Sequence, residues 1–144
     1  MTQQSTDVDH FDHDDAWQIG STLLARCRAD DLPVVIIIWL GEQRVFQVAL
    51  PGTSADNDSW AERKARVVRR FARPSIEVYE QFAKNNPDFY RVFGISPERY
   101  AAAGGAVPIR LHGAIVGVLA VSGLESGADH DLAATALQAH VGRS

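Results

Sequence analysis

Apolar positions recur along this chain with two periods, and the switches between them mark the elements. Over about 16–29, Trp17, Ile19, Leu23, Leu24 and Cys27 fall at helical intervals, with Asp14 or Asp15 placed to cap the start. Pro33 stops helical character, and Val34-Val35-Ile36-Ile37-Ile38-Trp39-Leu40 follows as an unbroken, mostly β-branched run suited to a strand buried on both faces. Gly41-Glu42-Gln43 turns the chain into a second strand over 44–50. After a polar loop at 51–59, Trp60, Val67, Val68 and Phe71 return to helical spacing until Pro74, whose missing N–H breaks the helix. Helical spacing resumes through Val78, Tyr79 and Phe82, ends near Asn85-Asn86-Pro87, and a short helical piece around 97–103 leads to Gly104.

The stretch from Gly104 to Gly123 predicts a second hairpin about a His112-Gly113 turn, in which Gly113 takes the positive φ of a tight reversal. Ser126 with Asp129 three residues on resembles a capped helix start, followed by an Ala/Leu-rich helix. The order α-β-β-α-α-β-β-α implies an α+β fold: an antiparallel sheet of two hairpins with helices packed on it. Ala106, Ala114, Gly117 and Ala120 give the second hairpin an unusually flat face. Such a face accepts a closely packed helix, another subunit, or a ligand. Residues 1–15 carry Asp7, Asp9, His10, Asp12, His13, Asp14 and Asp15 with almost nothing to bury, so the expectation is a disordered acidic tail over 1–15 and a single domain over 16–144.

Composition narrows the function classes. The net charge is −4, from 14 Lys+Arg against 18 Asp+Glu, which argues against general attraction to nucleic acid or anionic membrane. No apolar run approaches the ~20 residues of a membrane helix, and the N-terminus lacks the pattern of a signal peptide. With one cysteine, Cys27, there is no intrachain disulfide, and a cytoplasmic location is the expectation.

Candidate chemistry lies in a basic run and a glycine-flanked hairpin. Arg63, Lys64, Arg66, Arg69, Arg70 and Arg73 crowd into eleven residues, and 63, 66, 70 and 73 share one helical stripe. Guanidinium forks pair bidentately with carboxylate or phosphate, so Arg66, Arg70 and Arg73 are candidate anion ligands; a solvated face, or one paired with a neighbouring subunit, is the plainer reading. Gly104, Gly105, Ser122, Gly123 and His130 are added as candidates, because the helix start beyond Gly123 offers free N–H groups. His10 and His13 stand in the tail, His112 in a turn and His140 near the C-terminus; no Cys/His cluster has zinc spacing. Ser122 lacks the Gly-x-Ser-x-Gly elbow, and Gly104-Gly105 leads into a strand and not a phosphate-binding helix. No catalytic or metal-ligating set is assigned.

The block Gly104-Gly105-x-x-Pro108-Ile109, Gly113-x-x-x-Gly117-x-x-x-Val121-Ser122-Gly123 and Asp129-His130 resembles the C-terminal signature of the haem-degrading-domain family, also called GlcG/HbpS-like. The helix from Trp60 to Phe71 resembles a small uncharacterised branch of it that also occurs in yeast, although Pro74 stands where that branch carries Ser. The resemblance implies a profilin-like or PAS-like fold, assembly into symmetric homo-oligomers, haem as the cofactor of some relatives, and no established catalysis. The reading is therefore an oligomeric ligand- or cofactor-binding module with a pocket between the helix after Trp60 and the Gly104–Gly123 hairpin. A small anion near Arg70, Ser122 and His130 is the expected ligand, and haem binding is expected to be absent or weak. A protein-interaction scaffold and an enzyme acting on a small anionic molecule are the alternatives.

Overall fold

A computed structural model describes residues 7–142. Their order is β1 (Asp7–Val8), α1 (His13–Ala29), β2 (Val35–Leu40), β3 (Gln43–Ala49), α2 (Ala55–Phe71), α3 (Ser75–Val78), which runs on into a π-helical turn at Tyr79–Ala83, α4 (Phe89–Val92), β4 (Ala106–Leu111), β5 (Ala114–Ser122) and α5 (Ser126–Val141). The two hairpins share one sheet, with strand order β1-β4-β5-β2-β3. Every pairing is antiparallel except β1 against β4, so the sheet is mixed.

The continuous apolar run of β2 is explained by its position between β5 and β3, with a helix layer on each side. Successive side chains leave opposite faces of a strand. Ile36 and Ile38 accordingly join the cluster of Ile19, Leu23 and Cys27 from α1 and Leu132 and Leu137 from α5. Val35, Ile37 and Trp39 join Ala61, Ala65 and Val68 of α2 on the other face. Each fully buried Ile or Val stabilises the fold by about 1.5–3 kcal/mol relative to exposure. Of the expected flat face, Ala106 and Ala120 have received a helix, packing in the same cluster as Ala61 and Ala65, whereas Ala114 is exposed and Gly117 lies against Phe11 and the Trp39 carbonyl.

The second hairpin turn and the end of α2 behave as their residues dictate. His112 and Gly113, at φ +51° and +82°, are the two central residues of a loop that joins Leu111 directly to Ala114, the positive-φ pair of a type I′ reversal. α2 ends at Phe71, its C-cap Ala72 turns left-handed at φ +56°, and Pro74 follows. Beyond it, an aromatic cluster of Phe71, Phe82, Phe89 and Phe93 fastens the irregular segment 75–103 against Val67 and Val78.

The helical piece expected around 97–103 is turn and coil, and the short helix, α4, lies earlier at Phe89–Val92. Three further expectations need correction. The acidic segment is not unstructured up to residue 15: Val8 is buried in β1, Phe11 packs on the core, and Asp12 and Asp15 form a reciprocal capping box on α1. The cap is therefore Asp12 and not Asp14 or Asp15. Val8 and Phe11 were the two apolar residues whose burial the charge around them concealed; residues 1–6 lie outside the described residues. At α5 the cap position is Glu125, with no side-chain cap bond, and Asp129 turns inward.

Candidate functional site

α2 carries two concavities, one on its N-terminal half and one on its C-terminal half. The first is a cavity of about 220 Å³ between α2, the end of β5 and the start of α5, lined among others by Trp60, Lys64, Ser122, Gly123 and Asp129. It occupies the place expected between the helix after Trp60 and the glycine-flanked hairpin. Lys64 is only 4% exposed, because it sits on the sheet-facing stripe of Ala61, Ala65 and Val68. Its Nζ donates to the Asp129 carboxylate at 3.0 Å and to the Val121 carbonyl at 3.1 Å. Asp129 also accepts from the backbone N–H groups of Leu124 (2.9 Å) and Gly123 (3.3 Å). One buried ion pair thus ties α2, the end of β5 and α5 together. Burial pushes Lys64 below its ordinary pKa against the pull of Asp129, and pushes Asp129 above its own against the pull of Lys64. Both groups are driven toward their neutral forms.

Gly105 closes the floor of this arrangement. At φ +136°, a Cβ there would collide with the Val121 carbonyl and lie 2.7 Å from Lys64 Nζ. Gly104 donates its N–H to Ser126 Oγ at 2.6 Å. Ser122 is 2% exposed and lines the cavity, and its hydroxyl makes no hydrogen bond among the described residues.

The second concavity, about 340 Å³, is lined by Arg66, Arg69, Arg70, Arg99, Tyr100 and Glu42. Arg66 donates to the Arg99 carbonyl at 3.0 Å, and Arg69 donates to the Gly41 carbonyl at 3.3 Å while lying over the Trp39 ring. Burial lowers Arg69 from its ordinary pKa, opposed by Glu42, and a guanidinium remains charged across the physiological range. Glu62 approaches Arg66 at 3.9 Å but is committed more closely to Arg44. Four cations therefore face two nearby carboxylates.

The expected site residues are divided between these places. Arg66 and Arg70 line the arginine concavity, and Ser122 and Gly123 line the other. Gly104 and Gly105 stand beside the second set without lining it. Arg73 joins neither, because α2 has ended before it; its guanidinium donates to Gln81 and to the Phe71 carbonyl. His130 also lines neither: its Nδ1 is enclosed and without a hydrogen-bond partner. Arg70, Ser122 and His130 are thus not gathered about one ligand position. Asp129 as an ion partner and Lys64 as a buried cation were not among the expected site residues. The spacing Ala61, Lys64, Ala65, Val68, at i, i+3, i+4 and i+7, was the available signal that Lys64 faces inward. Nothing local to Arg99 foretold its approach to α2.

A mixed sheet walled by helices on both faces, with α2 edged by two charged concavities, defines a small single-sheet α+β protein. The chain belongs to the family described as haem degrading protein HbpS-like, whose model matches residues 11–138. It is 42% identical over 130 residues to a UPF0303 protein of Streptomyces avermitilis, covering 90% of this chain and 80% of that one. A UPF0303 protein of Mesorhizobium japonicum is 38% identical over 133 residues, covering 92% and 80%. Among solved structures, the crystal structure of Ybr137w protein matches with a TM-score of 0.88 at 27% identity, over 96% of this chain and 83% of that one. The crystal structure of a PduOC:Heme complex shares the fold, with a TM-score of 0.71 at 20% identity, over 90% and 94% of the two chains. No helix among the described residues is long and apolar enough to cross a membrane.

Proposed function

We propose that the protein is a non-catalytic module that binds a small anionic molecule at the arginine concavity. The observation that carries this reading is the convergence of Arg66, Arg69, Arg70 and Arg99 on one concavity, in a chain whose net charge is −4. Guanidinium groups whose hydrogen-bonding capacity is largely unspent, held by backbone carbonyls and aromatic rings, suit a di- or tricarboxylate or a phosphate. Anion binding to the folded state raises its stability by mass action. Millimolar citrate or inorganic phosphate, compared with chloride at matched ionic strength, should raise the melting temperature. The triple variant Arg66→Ala, Arg69→Ala, Arg70→Ala should lose that rise. An unresponsive native protein, or a variant that responds equally, would overturn the reading.

Haem enters through the family description and through one structural neighbour, the PduOC:Heme complex. The described residues of the single chain do not form a site for it. His10 and His140 are engaged with Asp15, His13 with Gln43, His112 sits in the exposed hairpin turn, and the Nδ1 of His130 is sealed. The apolar groove beside His140, between α1 and α5, holds about 110 Å³, below the ~300–1,000 Å³ usual for ligand pockets. No step of the proposed function runs through haem.

Self-association is supported by Trp17 and Val92, large apolar side chains left 64% and 60% exposed. Light scattering at micromolar concentration should return a multiple of the monomer mass, and Trp17→Glu or Val92→Glu should reduce it. A cytoplasmic setting accords with the single cysteine being buried and unpaired.

A further inference from the structure

Only two lysines occur in this chain, beside twelve arginines, and one of them is buried. A guanidinium would supply the same charge; only an amine can give up its proton and form a bond to carbon. The Lys64 amine is held at 3.0 Å from a carboxylate, on the wall of a cavity of about 220 Å³, and the same wall bears the unbonded hydroxyl of Ser122. With no hydrogen bond to the described residues, the Ser122 hydroxyl keeps its donor for a ligand oxygen in that cavity. Trp60, 38% exposed, carries the lining out to the surface.

We propose that this cavity is a carbonyl-trapping site, in which Lys64 Nζ condenses reversibly with a small aldehyde or α-oxo acid to form an imine. The Lys64 ammonium passes a proton to Asp129 Oδ2, freeing the nitrogen lone pair. That lone pair attacks the carbonyl carbon, and the carbonyl π electrons move onto its oxygen, which the Ser122 hydroxyl holds by donating a hydrogen bond. Asp129 returns its proton, the carbinolamine loses water, and the product is a protonated imine. In total, one ammonium and one carbonyl compound give one iminium and one water, with charge conserved and no oxidant or reductant required. The shifts of both partners toward neutrality, caused by burial, support the first transfer. Arg63, one position away on α2, acts in the same direction on Lys64. The cavity is separate from the arginine concavity, so either assignment stands or falls without the other.

Lys84 supplies an internal control, being an exposed lysine at the end of the π-helical turn. The full chain is incubated with glyoxylate, and in parallel with propanal, under cyanoborohydride at neutral pH, and the rate of adduct formation at each lysine is read by peptide mass spectrometry. Lys64 should be modified at least about tenfold faster than Lys84, because a buried amine beside its proton acceptor is the better nucleophile. Ser122→Ala, which removes no hydrogen bond of the fold, should slow Lys64 several-fold and leave Lys84 unchanged. Modification of Lys64 no faster than Lys84, or only once denaturant unfolds the chain, overturns the proposal. Fast labelling of Lys64 that Ser122→Ala leaves untouched overturns the assignment of the hydroxyl.

Discussion

Two faces of one helix handle cations in opposite ways. On the sheet-facing side of α2, Lys64 is enclosed and held by a carboxylate and a carbonyl, beside a glycine with no side chain to intrude. On the other side, Arg66, Arg69 and Arg70 lean on carbonyls and rings and leave donors open to solvent. A buried ion costs several kcal/mol in lost hydration, so it survives only with a partner, and removal of that partner exposes the full penalty. An exposed ion costs little either way. The same helix is therefore rigidly committed on one face and available on the other.

This difference is most sharply broken at Asp129. Asp129→Ala leaves Lys64 buried without a counter-charge and orphans the N–H groups of Gly123 and Leu124, and should destabilise the fold by about 3–5 kcal/mol. Denaturant titration measures this directly. The double variant Lys64→Met, Asp129→Asn, which abolishes both charges and keeps an acceptor for Leu124, should lose markedly less. If the single and double variants prove equal, the pair is not the element that commits this face of the helix.

Next in size is Gly105→Ala. The substitution forces a side chain into φ +136° and against the Val121 carbonyl and Lys64 Nζ, so a loss of about 2 kcal/mol or more is expected from strain and overpacking. The same change at Gly113, whose Cβ would meet nothing within 4 Å, carries the cost of positive φ alone and should be milder. Equal losses at both glycines would show that crowding at the ion pair contributes nothing.

The same contrast explains what could be read from the sequence. Elements fixed by local chemistry were found: the β-branched run of β2, the His112-Gly113 reversal, and the break of α2 before Pro74. Their signals are period and backbone permission, which need no knowledge of the rest of the chain. The Lys64–Asp129 pair spans 65 positions, and Arg66 meets the Arg99 carbonyl across 33. Such meetings depend on how α2 is set down on the sheet, and a charged residue in a basic run looks the same whether its face is inward or outward. Only the apolar neighbours of Lys64 at helical spacing distinguished it. Arg73 misled for a related reason: a stripe drawn at helical intervals presumes a helix that Ala72 has already ended.

The N-terminal segment joins the two regimes in one ion pair and gives the smallest expected effect. Asp15 is buried and His10 is exposed, with His10 Nδ1 at 2.8 Å from Asp15 Oδ2, while His140 of α5 lies 3.7 Å from the other oxygen. The hydrogen bond to Asp15, then its charge, raises His10 above 6.5, with Asp12 and Asp9 adding smaller contributions. A raised folded pKa stabilises fully below the unfolded value and is lost as pH climbs through the folded one. Asp12 works in the other direction: the Asp15 N–H lowers it below 3.8, so its contribution is present above 3.8 and disappears as pH falls through the lowered value. Attachment of β1 and the α1 cap should therefore be firmest between pH 3.8 and 6.5 and loosen above it. Amide exchange in β1, corrected for the intrinsic effect of pH, should show protection falling as pH rises from about 6 to about 8, the range in which a histidine titrates, with His10→Gln flattening the fall. Because His10 is exposed and screened, the change should be confined to the N-terminal segment and leave the melting temperature nearly constant. A global shift of stability over that range would instead move this segment into the committed regime of Lys64.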